Sequence, residues 1–274
     1  MRYKALCLLI VLCVLLGCDG GALLTPTSTF IPSATPFIPE LPAIDQTKMP
    51  GVNDPTAAAE PNNAAVPIAV NIPTPDGLVL RGLFYPTPND APGVLLLHML
   101  NHTKEDWQSL AAALQEAGFA ALAVDMRGHG ATAGGPDWVL AQGDVRVMLD
   151  WLHAQPHVDS HRIAVVGASI GANLALTACS NYETCRAVVL LSPGLDFHGI
   201  QTEPAMVALG ERAVLLVASE DDTYSAETVR TLAPLAQGAQ QLQIYRSAGH
   251  GTDMFNAEPE LQSMIVDWLR LQFP

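Results

Sequence analysis

From residue 66 onward, apolar positions form short blocks that alternate between two repeat lengths. Some blocks are continuous apolar runs or apolar–polar alternations of strand length, and others repeat apolar positions every three to four residues, as amphipathic helices do. The predicted strands are 68–72, 78–85, 93–97, 120–124, 162–166, 187–191, 213–218 and 242–245, and the predicted helices are 107–117, 138–153, 172–179, 225–236 and 259–271. This alternation predicts an α/β fold: a mostly parallel sheet of eight strands with helices on both faces.

The first 17 residues have a different pattern. Arg2 and Lys4 precede an apolar run over residues 5–16, which is typical of a secretory signal peptide. The run is shorter than the roughly 20 residues that a membrane-spanning helix needs. The sequence that ends at Cys18, Leu-Leu-Gly-Cys, resembles the lipobox of bacterial lipoproteins. That resemblance implies lipidation of Cys18, and an ordinary cleaved signal peptide is the alternative.

Residues 18–65 are predicted to be a disordered tether. Eight prolines lie among Thr, Ser, Ala and Asn between residues 19 and 65, without helical or strand periodicity. Such a segment cannot bury enough apolar surface to fold, so it separates the lipid from a folded domain over residues 66–274. The expected location is extracytoplasmic, on the cell membrane to which the lipid is anchored.

The charge balance narrows the range of partners. The chain has 27 acidic and 13 basic side chains and a formal net charge of −14 at pH 7. An acidic surface is repelled by nucleic acid and by anionic lipid headgroups. We therefore expect no nucleic-acid partner and membrane contact through the N-terminal lipid alone, and the oligomeric state is left open.

Two of the five cysteines belong to the predicted domain. Cys7 and Cys13 are removed with the signal peptide, whereas Cys179 and Cys185 follow a predicted helix and precede a predicted strand. Disulfides persist in exported proteins, so a bridge between Cys179 and Cys185 is predicted, with two free thiols as the alternative. Neither cysteine has the spacing of a zinc-binding motif, and no metal site is predicted.

The stretch over residues 162–178 is the strongest candidate for chemistry. An apolar strand runs directly into small helix-forming residues, and Ser169 lies at the change between Gly167 and Gly171. This pattern is typical of a strand-to-helix turn that lifts the serine hydroxyl above the sheet. The two glycines leave room for the tight turn because they have no side chains. Ser169 is therefore the candidate nucleophile.

A nucleophilic serine requires a base that takes its proton and an acid that orients the base. Polar residues suited to these roles follow two later strands, Asp222 after residues 213–218 and His250 after residues 242–245. Because reactive residues of parallel sheets collect at the carboxyl ends of strands, Ser169, Asp222 and His250 are expected to converge. Asp221 and Asp196 are the alternative acids.

The order serine, acid, histidine along the chain resembles that of the α/β-hydrolases. The resemblance covers nearly all of residues 66–274 and is closest to the dienelactone-hydrolase-like and small serine esterase branch. It implies the α/β-hydrolase fold, with Ser169 as nucleophile, His250 as general base and then acid, and Asp222 as the group that fixes the histidine tautomer.

The resemblance also implies an oxyanion hole. One N–H would come from Ile170 and the other from the loop after the strand 93–97. The family pattern in that loop begins His-Gly, whereas this chain has His98-Met99. Counting two residues past the histidine selects Leu100, with Met99 second. His98 itself is expected to be structural.

A second polar loop follows the strand 120–124. Its residues Asp125, Arg127 and His129 are expected to brace neighbouring loops, with substrate contact as the alternative.

The implied function is a carboxylesterase that hydrolyses small acyl esters through an acyl-enzyme intermediate, without cofactor or metal. Serine at position 169 differs from the cysteine of true dienelactone hydrolases, so lactone specificity is not carried over. Only 19 residues, 194–212, occupy the place where related enzymes insert a cap, so no large cap domain is expected. The alternatives are a serine peptidase, of aminopeptidase or oligopeptidase type, on the same fold and a non-catalytic surface binding module.

Overall fold

A computed structural model describes residues 66–274 of the 274-residue chain. The predicted signal peptide, Cys18 and the predicted tether lie outside the described residues. Within residues 66–274, no helix has the length and apolar character required to cross a membrane.

The described residues form ten strands. They are β1 (Ile68–Pro73), β2 (Val79–Tyr85), β3 (Ala91–Leu97), β4 (Ala120–Asp125), β5 (Val158–Ala168), β6 (Cys185–Leu191), β7 (Asp196–Phe197), β8 (Ile200–Gln201), β9 (Ala213–Ser219) and β10 (Gln240–Tyr245), of which β7 and β8 pair as a separate hairpin. The other eight form one sheet in the order β1-β2-β4-β3-β5-β6-β9-β10. The pairs β1–β2 and β2–β4 are antiparallel, and all other neighbours in the sheet are parallel. The predicted fold class is therefore confirmed.

Five helices of the described residues follow the predicted pattern, and two short helices are added to it. The helices are α1 (Gln108–Glu116), α2 (Trp138–His153), α3 (Ile170–Asn181), α4 (Thr202–Leu209), α5 (Thr223–Leu232), α6 (Met254–Ala257) and α7 (Leu261–Gln272), with 3-10 turns at Lys104–Trp107, Ala233–Leu235 and Gly251–Asp253. The sequence did not predict α4, α6 or the β7–β8 hairpin. All three are shorter than the window of about 11 residues over which a hydrophobic period becomes recognisable.

Both faces of the sheet are covered by helices. Along β3, Leu95 and Leu97 belong to the apolar cluster that includes residues of α2 and α3, whereas Val94 and Leu96 belong to the cluster that includes α1 and α7. Every residue of β3 is buried. A strand covered on both faces needs apolar side chains at successive positions, which explains its continuous apolar run.

Cys179 of α3 and Cys185 at the start of β6 form the predicted disulfide. The two sulfur atoms are bonded at 2.00 Å, and the Cα atoms are 5.3 Å apart. Both residues are buried in the cluster that α2 and α3 share with the sheet. The bond therefore ties the end of the helix that follows Ser169 to the start of the next strand.

Replacing both cysteines with alanine is expected to lower the free energy of unfolding by about 2 kcal/mol, because the short loop no longer restrains the unfolded chain. Urea unfolding at neutral pH measures the difference. Wild type reduced with dithiothreitol is the control and should unfold like the variant. Equal stability of oxidised and reduced wild type would contradict the prediction.

Candidate active site

Ser169 is the residue at which β5 turns into α3. Its backbone angles are φ 55° and ψ −122°, a strained combination for any residue with a side chain. Three backbone hydrogen bonds hold it there: the Ser169 N–H donates to the Leu191 carbonyl at 2.8 Å, and its own carbonyl accepts from the Ala172 N–H at 2.8 Å and from the Asn173 N–H at 3.2 Å. The side chain is mostly covered, with 8% of the residue surface exposed. The turn therefore fixes the backbone conformation of Ser169.

Gly167 and Gly171 are required by close backbone approaches. A Cβ atom at Gly167 would lie 2.1 Å from the carbonyl oxygen of Gly171, and one at Gly171 would lie 2.3 Å from the carbonyl oxygen of Leu97. Both distances are far inside van der Waals contact. The first turn of α3 therefore packs directly against the end of β3, and only glycine fits at either position.

Asp222 and His250 form a hydrogen-bonded pair. The Nδ1 atom of His250 lies 2.6 Å from Oδ2 of Asp222. Asp222 is also the N-cap of α5, where its Oδ1 accepts the Ser225 N–H at 3.4 Å. Because Nδ1 donates its proton to the carboxylate, the Nε2 atom of His250 is left with a free lone pair. The imidazole can therefore act as a base.

The two alternative acids have other partners. Asp221 accepts hydrogen bonds from the hydroxyls of Ser219 and Ser247 and from the Gly249 N–H, and these bonds, that from Ser219 foremost, lower its pKa from the ordinary value. Asp196 accepts from the Gly199 N–H at 2.7 Å inside the β7–β8 hairpin. Of the three candidate acids, the structure brings Asp222 to His250.

Ser169 and the His250 loop lie at the same edge of the sheet. A Cβ atom at Gly251 would lie 3.4 Å from the Cβ of Ala168, so the residue after His250 lies beside the residue before Ser169. Among the hydrogen bonds within residues 66–274, none joins the Ser169 hydroxyl to the His250 imidazole. Such bonds are often long in hydrolases without substrate and shorten when substrate binds.

The N–H groups near the turn at Ser169 include some without a hydrogen bond in the described part of the chain, among them those of Met99, Leu100 and Ile170. Ile170 is the first residue of α3, where the N–H has no partner inside the helix. The Met99 carbonyl accepts from Nδ1 of His98 at 2.7 Å and from the His102 N–H at 3.2 Å. The Met99 carbonyl and the Leu100 N–H belong to the same trans peptide and point in opposite directions. The Leu100 N–H therefore faces away from His98 and His102.

His98 is a structural residue, as the sequence predicts. Its Nδ1 donates to the Met99 carbonyl, and its Nε2 accepts the Met126 N–H at 3.0 Å, so the ring joins the loops after β3 and β4. Burial of the ring lowers the pKa of His98 to about 4. The imidazole is therefore neutral at pH 7.

Asp125 and Arg127 brace loops, also as predicted. The buried carboxylate of Asp125 accepts from the Lys104 N–H at 2.8 Å, from Lys104 Nζ at 2.7 Å and from the Ala131 N–H at 2.8 Å. Arg127 donates two hydrogen bonds of 2.6 Å to Asp144 of α2. His129 contributes a 3.0 Å contact between its Nδ1 and the carbonyl of Arg127.

Sequence reasoning missed Asn173, which fixes the β7–β8 hairpin to α3. Its Nδ2 donates to the Ile200 carbonyl at 2.7 Å, and its Oδ1 accepts the Gly194 N–H at 3.0 Å. It also missed Ser192 and Ser219, whose hydroxyls accept N–H groups from the loop that carries His250. The sequence signals that could have revealed these residues were an amide side chain inside an apolar helix, for Asn173, and a serine at the end of an apolar strand, for Ser192 and Ser219.

Within residues 66–274, no group of three or more His, Cys, Asp or Glu side chains could hold a metal ion.

The family model for the alpha/beta hydrolase fold matches residues 92–243, and the chain belongs to the α/β-hydrolase family. An uncharacterized protein of Mycobacterium tuberculosis is 33% identical over 144 residues, 51% of this chain and 51% of the relative. A thiohydrolase of Eupenicillium brefeldianum is 32% identical over 143 residues, 50% of this chain and 46% of the relative. The chain thus spans about half the length of the curated relatives it matches.

Solved structures share the fold. A Pyrococcus furiosus esterase has a TM-score of 0.67 at 20% identity, covering 76% of this chain and 92% of the esterase. A dienelactone hydrolase of Anabaena variabilis has a TM-score of 0.61 at 21% identity, covering 76% of this chain and 96% of that enzyme. At these identities the likeness extends to the fold alone.

The buried His98 is expected to make the domain acid-sensitive. Its pKa is about 4 in the folded protein and about 6.5 when unfolded, so the stabilisation is complete above pH 6.5 and is lost as the pH falls to 4. The loss amounts to about 3 kcal/mol. Urea unfolding at pH 7, 5 and 4 should show a shallower pH dependence for His98→Gln than for wild type. The control, His161→Asn at an exposed position, should follow wild type.

Proposed function

We propose that this protein is a serine hydrolase, most simply a carboxylesterase that hydrolyses small acyl esters through an acyl-enzyme intermediate. The observation that carries the proposal is the hydrogen bond of 2.6 Å between Asp222 and His250, formed at the sheet edge where the strained Ser169 turn also lies. Membership of the α/β-hydrolase family and the fold shared with an esterase support it.

The proposed reaction follows from the hydrogen bond between His250 and Asp222. With Nδ1 bound to Asp222, Nε2 takes the proton of the Ser169 hydroxyl as its oxygen attacks the carbonyl carbon of the ester. The resulting tetrahedral intermediate collapses, and Nε2 returns the proton to the departing alcohol. Water then attacks the acyl-enzyme by the same route, which releases the acid and restores Ser169.

The negative charge on the intermediate needs two N–H donors. We assign these roles to Ile170 and to Leu100, with Met99 second. The carbonyl oxygen of His98 lies close to Gly171 at the start of α3. The Met99 N–H belongs to the same trans peptide as this carbonyl and points in the opposite direction, away from α3. This orientation favours Leu100.

The proposed substrate class rests on the small size of the segment at the place where related enzymes insert a cap domain. Residues 194–212 contain the β7–β8 hairpin and the eight-residue α4, which is far less than a cap domain. An open site favours small or accessible acyl groups. Thioesters are a second candidate substrate, because a relative 32% identical over half of this chain is named a thiohydrolase.

The proposed location is the extracytoplasmic face of a membrane, with Cys18 as the lipidated residue. The sequence of residues 1–18 is its basis. The disulfide between Cys179 and Cys185 supports an exported protein, since such bonds persist in oxidising compartments.

Ser169→Ala is expected to lower turnover strongly without unfolding the protein, because the hydroxyl is the attacking group. A panel of p-nitrophenyl esters from acetate to laurate, matching thioesters and amino-acid arylamides gives kcat/KM, and a fluorophosphonate probe reports the nucleophile. We expect a loss of about 10³-fold or more, and labelling of wild type alone. Arylamide turnover without ester turnover would favour a peptidase. Absent labelling of wild type would favour a binding module.

Asp222→Asn is expected to lower kcat by about 10³-fold or more, because an amide cannot hold the imidazole in the required tautomer. The matched control is the neighbouring Asp221→Asn, which removes the same charge from the same loop and should cost less than about tenfold. Both values come from steady-state kinetics on one short-chain ester. The reverse ranking would identify Asp221 as the acid.

A further inference from the structure

Ser192 occupies a strained, fully buried position at the end of β6. Its φ is 50°, in the left-handed region that favours glycine, and none of its surface is exposed. Its N–H donates to the Val217 carbonyl of β9 at 2.8 Å, which holds the backbone in place. A serine kept where glycine would be less strained indicates that the hydroxyl has a use.

The hydroxyl oxygen of Ser192 accepts the N–H of Gly251 at 2.9 Å. Gly251 directly follows His250. On the other side of His250, the Ala248 N–H donates to the hydroxyl of Ser219 at 2.7 Å. Side chains at the ends of β6 and β9 therefore hold the backbone on both sides of the histidine.

Gly251 has no room to compensate for a lost partner. A Cβ atom there would lie 2.6 Å from the sulfur of Met99 and 3.4 Å from the Cβ of Ala168, and the residue is buried. Without the Ser192 hydroxyl, the N–H would be buried and unpaired, which is costly. The loop would move to relieve that cost, and the His250 imidazole would move with it.

We propose that Ser192 is a positioning residue, whose hydroxyl fixes Gly251 and so holds the His250 imidazole between Asp222 and Ser169. The inference rests on the proposed function of His250 as the base. Ser192 does not touch the reacting atoms and acts through the backbone of the histidine loop.

Ser192→Gly separates this role from a purely structural one. Glycine relieves the strain at φ 50° but leaves the Gly251 N–H without its acceptor, and these two effects on stability oppose each other. The variant should therefore resist urea better than Ser192→Ala, which removes the hydroxyl without relieving the strain. We expect kcat on a short-chain ester to fall about tenfold or more, KM to change less than about twofold, and fluorophosphonate labelling of Ser169 to slow with kcat. Ser192→Ala, which keeps the strain, should lose the same activity.

The control is Ser180→Ala, which removes a buried hydroxyl that donates to the Thr177 carbonyl within α3. It should keep wild-type kcat. A Ser192→Gly variant with kcat within twofold of wild type would overturn the proposal.

Proton NMR of the His250 Nδ1–H gives a readout that does not need turnover. In Ser192→Gly this proton should exchange with water faster than in wild type, because the imidazole is less firmly held against Asp222. Unchanged exchange would overturn the inference even in an inactive protein. Absence of both ester hydrolysis and Ser169 labelling in wild type would instead refute the proposed function.

Discussion

The arrangement of this domain depends on a steric constraint: two positions that flank Ser169 have no space for a side chain. The backbone atoms that a Cβ would meet at Gly167 and Gly171 are barely more than 2 Å away. This closeness lets α3 begin immediately after β5 and pack on the end of β3. The serine is forced into a conformation that raises it above the sheet, and the loops after β3, β6, β9 and β10 surround it.

Those loops are held by buried polar groups at strand ends. His98 joins the loops after β3 and β4, Asp125 joins the loop after β4 to Lys104, and Ser192 and Ser219 hold the loop after β10. Apolar packing determines where the helices lie on the sheet, but it is not directional enough to orient an imidazole. Hydrogen bonds in a low-dielectric interior are directional, and breaking them is costly, so they fix the site.

The strands were predictable because their apolar runs are continuous, and the site residues because Ser169, Asp222 and His250 each follow such a run. The sequence favoured Asp222 but left Asp221 open, since neighbouring residues in one loop point in different directions and the fold decides which of them meets His250. Ser192 escaped notice because its partner, Gly251, is distant in sequence. The β7–β8 hairpin and α4 were too short to give a period.

The carboxylate of Asp222 has two partners, the His250 imidazole and an N–H of α5. Active-site acids commonly lower the stability of the folded protein, so that an enzyme gains activity at the expense of stability. At position 222 the two demands coincide, because the oxygen that does not orient the imidazole satisfies the helix end. The trade-off is concentrated at Ser169, whose strained backbone would relax with glycine. Substitutions intended to stabilise this domain should therefore leave Asp222 unchanged and be placed far from the turn at Ser169.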